Sequence, residues 1–112
     1  MDIKVRNNLY LVSLPDSYKL GYDSYNAFIA CCKTEKEARE THPIDEEYSF
    51  NEIEKRWEVM GCDNIIRHYG TDKYNKIGWI YGKDISQLEV TLLGIANDNI
   101  TESIVLKSYN AG

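Results

Sequence analysis

Residues that usually build metal and catalytic sites are scarce in this sequence. The 112 residues include two histidines and three cysteines, and no Cys-x-x-Cys pair occurs. A zinc site needs three or four nitrogen, sulfur or oxygen ligands at workable spacing. His42 and His68 lie far apart, and neither has a cysteine at short range. We therefore expect neither a metal site nor a bound cofactor.

Motifs for phosphate binding and covalent catalysis are also missing. The polar stretch at residues 70–78 begins and ends on glycine, but it lacks the Walker ending and does not open an evident helix. Cys62 and His68 could pair as nucleophile and base, yet nothing in their spacing requires that role. Carboxylates are frequent over residues 35–58, as on solvated helix faces. The sequence thus predicts no catalytic residue.

Long apolar runs and a secretory leader are absent too. No stretch approaches the roughly 20 apolar residues that a membrane helix requires. The first six residues are mostly polar, so we expect no signal peptide. Cys31 and Cys32 are adjacent and make poor disulfide partners, which indicates a reducing compartment. We expect a cytoplasmic protein that does not bind membranes.

The composition that remains is typical of one folded domain. Apolar residues make up 43% and charged residues 28% of the chain, close to the globular average, so we expect a single domain over residues 1–112. The net charge of −5 argues against general nucleic-acid binding, which needs a basic surface. Nine tyrosines exceed what a small core needs, and surface tyrosines suit a binding face.

Local patterns predict two strands and a helix in the first half. Residues 9–14 are mostly apolar and end at Pro15, which predicts a strand. Residues 25–33 are nearly all small or apolar, which predicts a central strand buried on both faces. Thr34 and Glu37 form a capping box, so we expect a helix over residues 34–42.

A second helix is expected after the first one. Ser49 and Glu52 form another capping box. Ile53, Trp57 and Met60 follow at spacings of four and three, which is typical of one helix face.

The rest of the chain predicts strands. Residues 65–66 favour a short strand, residues 88–95 alternate apolar and polar, and residues 103–109 form a last strand that we expect to pair with 88–95 as a hairpin. This order predicts an α+β fold, a small and mainly antiparallel sheet with one or two helices packed on one face. Exposed strand edges and surplus tyrosines favour a homo-oligomer.

Four short sequence motifs, in this order along the chain, indicate a resemblance to a known family. They are YDSYNAFI at 22–29, TEKEARETHP at 34–43, LGIA at 93–96 and IVLKSYNAG at 104–112. Together they resemble a family of short, uncharacterised bacteriophage proteins that run YDxYxxFVV, AExEAR, a Trp-bearing segment, LGxA and SFNAG. Tyr109 stands where that family usually has Phe, and residues 44–77 look like an insertion. The resemblance covers roughly two thirds of the chain and implies no activity.

A mildly basic segment contains the candidate ligand site. Residues 34–58 hold nine acids and four bases, whereas residues 59–83 hold two acids and four bases. The forked guanidinium group of arginine suits a phosphate, and tyrosine rings suit stacking on a nucleobase. The candidate ligand-binding residues in this segment are Arg67, His68, Tyr69, Lys73 and Tyr74. Tyr18, Tyr22 and Tyr25 offer a second aromatic surface, where Tyr22, Asp23 and Tyr25 are further candidates. Asp23 could accept from a ribose hydroxyl, and it could equally form an Asx-turn.

Several functions are compatible with these sequence patterns. The resemblance implies, by association only, a phage accessory protein with an anti-defence role. Such a protein would bind without chemistry, either sequestering a nucleotide immune signal or masking a host protein through its tyrosines or acidic helices. The alternatives are a small nucleotide-processing enzyme, with His68 as acid/base and Arg67 on phosphate, and a virion assembly protein.

Overall fold

The computed structural model describes residues 6–18, 24–44, 48–60, 63–69 and 79–110. In chain order the described elements are β1 (Asn8–Ser13), β2 (Ser24–Cys32), α1 (Glu35–Arg39), β3 (Tyr48–Asn51), β4 (Arg56–Met60), β5 (Ile66–Tyr69), a 3₁₀ helix (Gly82–Gln87), β6 (Glu89–Ile95) and β7 (Ile104–Asn110). The strands form a four-stranded and a three-stranded sheet. The predicted α+β fold with a mainly antiparallel sheet is confirmed.

The four-stranded sheet has the order β6-β1-β2-β7, with every neighbouring pair antiparallel. The predicted hairpin between the last two strands is therefore wrong, because β6 and β7 lie at opposite edges. The segment 96–103 crosses the ends of the two central strands instead. At its start Ala96 N donates to Asn7 O at 2.8 Å, and at its end Cys31 N donates to Ser103 O at 2.8 Å. β2 is central, as predicted.

The predicted second helix is also wrong, because residues 48–60 form the β3–β4 hairpin. The helical spacing does not correspond to a common buried face. Trp57 is fully buried, whereas Ile53 is 90% exposed and Met60 is 52% exposed. Trp57 is instead an inward position on a strand, and strand alternation leaves its neighbours Arg56 and Glu58 half-buried.

A four-residue turn explains why the chain reverses here. The side-chain oxygen of Asn51 accepts from Ile53 N at 3.1 Å and from Glu54 N at 2.9 Å. Lys55 has a φ of 55°, a left-handed conformation that ends the turn. Side-chain hydrogen bonds of this kind compete with helix formation, so Asn51 favours the hairpin over the predicted helix.

The first helix forms as predicted at its start but is shorter. Thr34 Oγ1 accepts from Glu37 N at 3.1 Å, which is the expected N-cap. The helix ends at Arg39 instead of residue 42. His42 enters the core, where its ring stacks on Tyr48 with centroids 4.4 Å apart. The helix cannot continue along the surface through residue 42, because the ring of His42 is buried in the core.

One face of the four-stranded sheet carries the core. Alternate residues of β1 and β2 are buried there beneath α1, and the packing includes two tryptophans. Trp57 Nε1 donates to Ile80 O at 2.9 Å, which joins the three-stranded sheet to the segment before the 3₁₀ helix. The buried core residues are Tyr10, Val12, Phe28, Ala30, Ala38, Trp57, Trp79, Ile80, Ile85 and Leu88.

Candidate functional site

The ligand residues expected from the sequence fall on different parts of the chain. Tyr22, Asp23, Lys73 and Tyr74 lie outside the described residues. Arg67, His68 and Tyr69 lie on β5, an edge strand of the three-stranded sheet, opposite Val59, Glu58 and Trp57 respectively. Tyr25 lies on β2 in the other sheet. The described structure therefore does not assemble these residues into one site, and their ligand role stays a prediction.

Tyr25 has a structural role. Its ring is half-buried and packs against the core. Lys107 Nζ lies 5.5 Å from the ring centroid and donates to Pro43 O at 2.9 Å. The lysine thus connects the edge of the sheet to the segment after α1, across the aromatic face of Tyr25.

The tyrosines as a group are less exposed than the sequence suggested. Among those whose side chains the structure describes, none is fully exposed; they are Tyr10, Tyr18, Tyr25, Tyr48 and Tyr81. Tyr18 shows why. Its hydroxyl donates to Asp84 Oδ2 at 3.0 Å and accepts from Tyr81 N at 3.2 Å, which ties the chain after β1 to the 3₁₀ helix. A tyrosine-rich binding face is thus not built from these five residues.

Two half-buried groups, the thiol of Cys32 and the phenol of Tyr18, are poor catalysts. Burial, together with the nearby Glu37 carboxylate, raises the pKa of the Cys32 thiol to about 11. Burial is also the largest cause that raises the pKa of Tyr18 to about 12. Both groups are protonated at neutral pH, so neither is an activated nucleophile or base. No cluster of three or more metal-binding side chains occurs among the described residues.

A site that sequence reasoning missed lies on the second face of the four-stranded sheet. Residues paired across antiparallel strands share a face. Leu9 pairs with Cys31 and Leu11 pairs with Ile29, and these positions alternate with the core residues of the same strands. Ile29 in turn pairs with Leu106 on β7. The face away from the core is therefore aliphatic across three strands, and we call it the open face.

The open face contains an open groove of about 280 Å³. The groove is lined by residues of β1, β2 and β7 alone: Leu11, Ala27, Phe28, Ile29, Leu106, Lys107 and Ser108. Ala27 pairs with Ser108, so two small side chains leave a notch beside larger aliphatic ones. Leu106, on the edge strand, is 64% exposed. An exposed aliphatic wall next to a notch is suited to receive one apolar side chain.

The groove is electrically neutral where it is described. Lys107 is its one ionisable lining residue, and the ammonium group bonds to Pro43 O at 2.9 Å and lies by the Tyr25 ring. Phe28 pairs with Lys107, and Phe28 is a core residue, so this pair belongs to the core face. The groove thus offers apolar contact without a charge for phosphate.

A signal for this site was present in the sequence. The apolar run of residues 25–33 predicted a strand buried on both faces. The second face is apolar, but burial there is incomplete, because Ala27 and Ile29 are only half-buried. The sequence could not show that this face of β2 would lie beside β7 instead of being covered by another layer of structure.

Neither helix in the described ranges has the length or hydropathy that a membrane crossing requires. Comparisons with protein-family models, curated proteins and solved structures find no match to this chain.

Proposed function

We propose that this chain is a binding protein that covers part of another protein through its open face, without covalent chemistry. One observation carries the proposal: an aliphatic sheet face with a neutral groove between Leu11, Ile29 and Leu106. Three strands at ~4.8 Å spacing and six residues at ~3.3 Å rise give a footprint of about 300 Å². Apolar patches of this size on single chains are often functional.

The size and chemistry of the groove favour a protein partner over a nucleotide. Pockets for small molecules usually span about 300–1,000 Å³ and hold a few convergent polar groups. This groove is open, encloses about 280 Å³ and is lined mostly by aliphatic carbon. The occupant that fits is an aliphatic or aromatic side chain presented on a neutral protein surface, as in an interface hot spot.

The resemblance to short bacteriophage proteins suggests where such a partner would be met. We propose a phage accessory role in the host cytoplasm, with a host or defence protein as the partner. The resemblance supports this assignment by association, and the open face supplies the physical mechanism.

A titration by NMR tests the chemistry of the groove directly. Methyl-labelled protein is titrated with indole, which stands for an aromatic side chain, and separately with AMP. We expect indole to shift the methyl signals of Leu11, Ile29 and Leu106, and AMP to leave them unchanged. A Leu106→Lys variant should weaken indole binding at least tenfold. Ile53→Lys, at an exposed aliphatic residue of the β3–β4 turn, is the matched control and should bind normally.

The partner itself is sought with the same variants. Tagged wild type, Leu106→Lys and Ile53→Lys are purified from host cells, and any co-purifying protein is then tested in purified form. A true partner binds wild type and Ile53→Lys alike and loses at least tenfold in affinity with Leu106→Lys. Absence of indole shifts at millimolar concentration, or equal partner binding by all three proteins, refutes the proposal.

Nucleotide sequestration is the second candidate, favoured by the placement of Arg67, His68 and Tyr69. They lie on β5, whose outer edge has no neighbouring strand in the described structure. A ligand there could reach free backbone groups beside cationic and aromatic residues. Isothermal titration with cyclic and ADP-ribose-derived nucleotides tests it. Heat that disappears in Arg67→Ala supports sequestration, and no heat with any nucleotide removes it.

A further inference from the structure

The two edges of the four-stranded sheet differ in charge. β7 carries Lys107 near its middle, and a charged side chain is a common device against edge-to-edge pairing. β6 carries its single charge, Glu89, at its first position, and residues 90–95 contain neither a charge nor a proline. Residues 90–95 thus lack the charged side chain and the proline that protect many natural edge strands.

The β6 edge is also unusually apolar. Leu92, Leu93 and Ile95 are each between 51% and 67% exposed. A β-bulge at Leu93 places two leucines opposite Tyr10 of β1, and both leucines are exposed. A Cβ added at Gly94 would meet no atom of the described residues within 4 Å, so a second chain can approach the backbone there closely.

We propose that the β6 edge pairs with β6 of a second copy of this chain, antiparallel across a two-fold axis, to make a continuous eight-stranded sheet. This interface lies at a different place from the open face and goes beyond the proposed function. Two identical strands that carry no charge over residues 90–95 are self-complementary, as a two-fold interface requires.

Charge placement favours the second copy over an unrelated strand. In an antiparallel register centred between Leu92 and Leu93, Glu89 of one copy faces Ala96 of the other, so the two carboxylates do not oppose each other. Beyond the strand, Asp98 forms an ion pair with Arg6 at 3.4 Å, which offsets its charge. Val90 then faces Ile95 and Leu92 faces Leu93, and backbone N–H and C=O groups gain partners.

Light scattering with size-exclusion chromatography tests this pairing. Wild type should elute, at tens of micromolar, with twice the chain mass of 13.0 kDa. Leu92→Lys places two ammonium groups across the axis and should raise the dimer dissociation constant at least tenfold. Leu106→Lys, at a leucine of similar exposure on the other edge, is the matched control and should stay dimeric. Circular dichroism shows whether each variant is folded.

Hydrogen exchange supplies a second measurement. Outward amides of β6 should be protected in wild type and exchange faster in Leu92→Lys, while β7 amides stay the same. A monomeric wild type, or a Leu92→Lys dimer as strong as wild type, overturns the pairing. A dimer lost in Leu106→Lys and kept in Leu92→Lys moves the interface to the open face and also overturns it. Indole binding by Leu92→Lys is expected to be normal, so the two proposals fail separately.

Discussion

Two fully buried tryptophans differ in one interaction, and this difference has a measurable consequence. Trp57 Nε1 donates to Ile80 O at 2.9 Å within the core. Trp79 Nε1 is equally buried and has no hydrogen-bond partner among the described residues. Trp57→Phe and Trp79→Phe delete the same atoms from equally buried sites, so each variant controls for the loss of ring volume in the other.

The hydrogen bond decides the expected magnitudes. Trp57→Phe leaves a buried carbonyl without its donor, which costs about 1–3 kcal/mol beyond the cavity left by the smaller ring. Trp79→Phe removes a buried N–H that lacks a partner among the described residues, which regains about 1–3 kcal/mol and offsets much of its cavity cost. Its edge contact with Phe28, at a centroid distance of 5.4 Å, survives in a phenyl ring. We expect Trp57→Phe to be less stable than Trp79→Phe by roughly 2–6 kcal/mol.

Urea unfolding followed by far-ultraviolet circular dichroism measures this difference, since tryptophan fluorescence changes with the substitutions themselves. Equal m-values are required for the comparison, because a changed slope means a changed denatured or native state. Equal destabilisation by both variants would refute the reasoning, since it would mean that Trp79 Nε1 has a partner. The double variant checks whether the two effects add.

Two further outcomes follow from the site and the helix. The pKa of Tyr18 is raised to about 12 in the folded chain, so the stability that this residue contributes is complete below pH 10 and is lost as the pH rises to 12. Melting temperatures measured from pH 8 to 12 should therefore fall less steeply above pH 10 in Tyr18→Phe than in wild type. Identical slopes in the two proteins would contradict this expectation. Thr34→Ala should cost about 1 kcal/mol in urea unfolding through loss of the bond from Glu37 N, whereas Thr34→Ser should cost little, and equal costs would argue against the cap.

The first two strands and the first helical turn could be predicted because their signals are local. Pro15 follows the end of β1 closely, and Thr34 caps α1 through a residue three positions away. The second helix was predicted from equally local signals and was wrong. Ile53 and Met60 are exposed although their spacing with Trp57 suits a helix, and the amides that Asn51 binds favour a turn.

The candidate site could not be predicted from local sequence patterns. Leu11, Ile29 and Leu106 come from three strands that are far apart in sequence, and no local pattern specifies that they line one groove. The residues expected to bind a ligand lie close to one another within short segments of the sequence. Of these, the structure places Arg67 to Tyr69 and Tyr25 on separate sheets.

The sequence by itself determined that this is an α+β domain, where its main strands lie and how its first helix begins, because each depends on periodicity, proline and side chains within a few residues. The tertiary structure decided that β6 and β7 lie at opposite edges, that residues 48–60 form a hairpin and that a groove forms on one sheet face between described residues of three strands. These features depend on contacts between distant residues, whose free energies exceed local propensities of a few tenths of a kcal/mol per residue. Burial of Trp57 against the rest of the core illustrates the difference, since that contact forms only when the whole fold is in place.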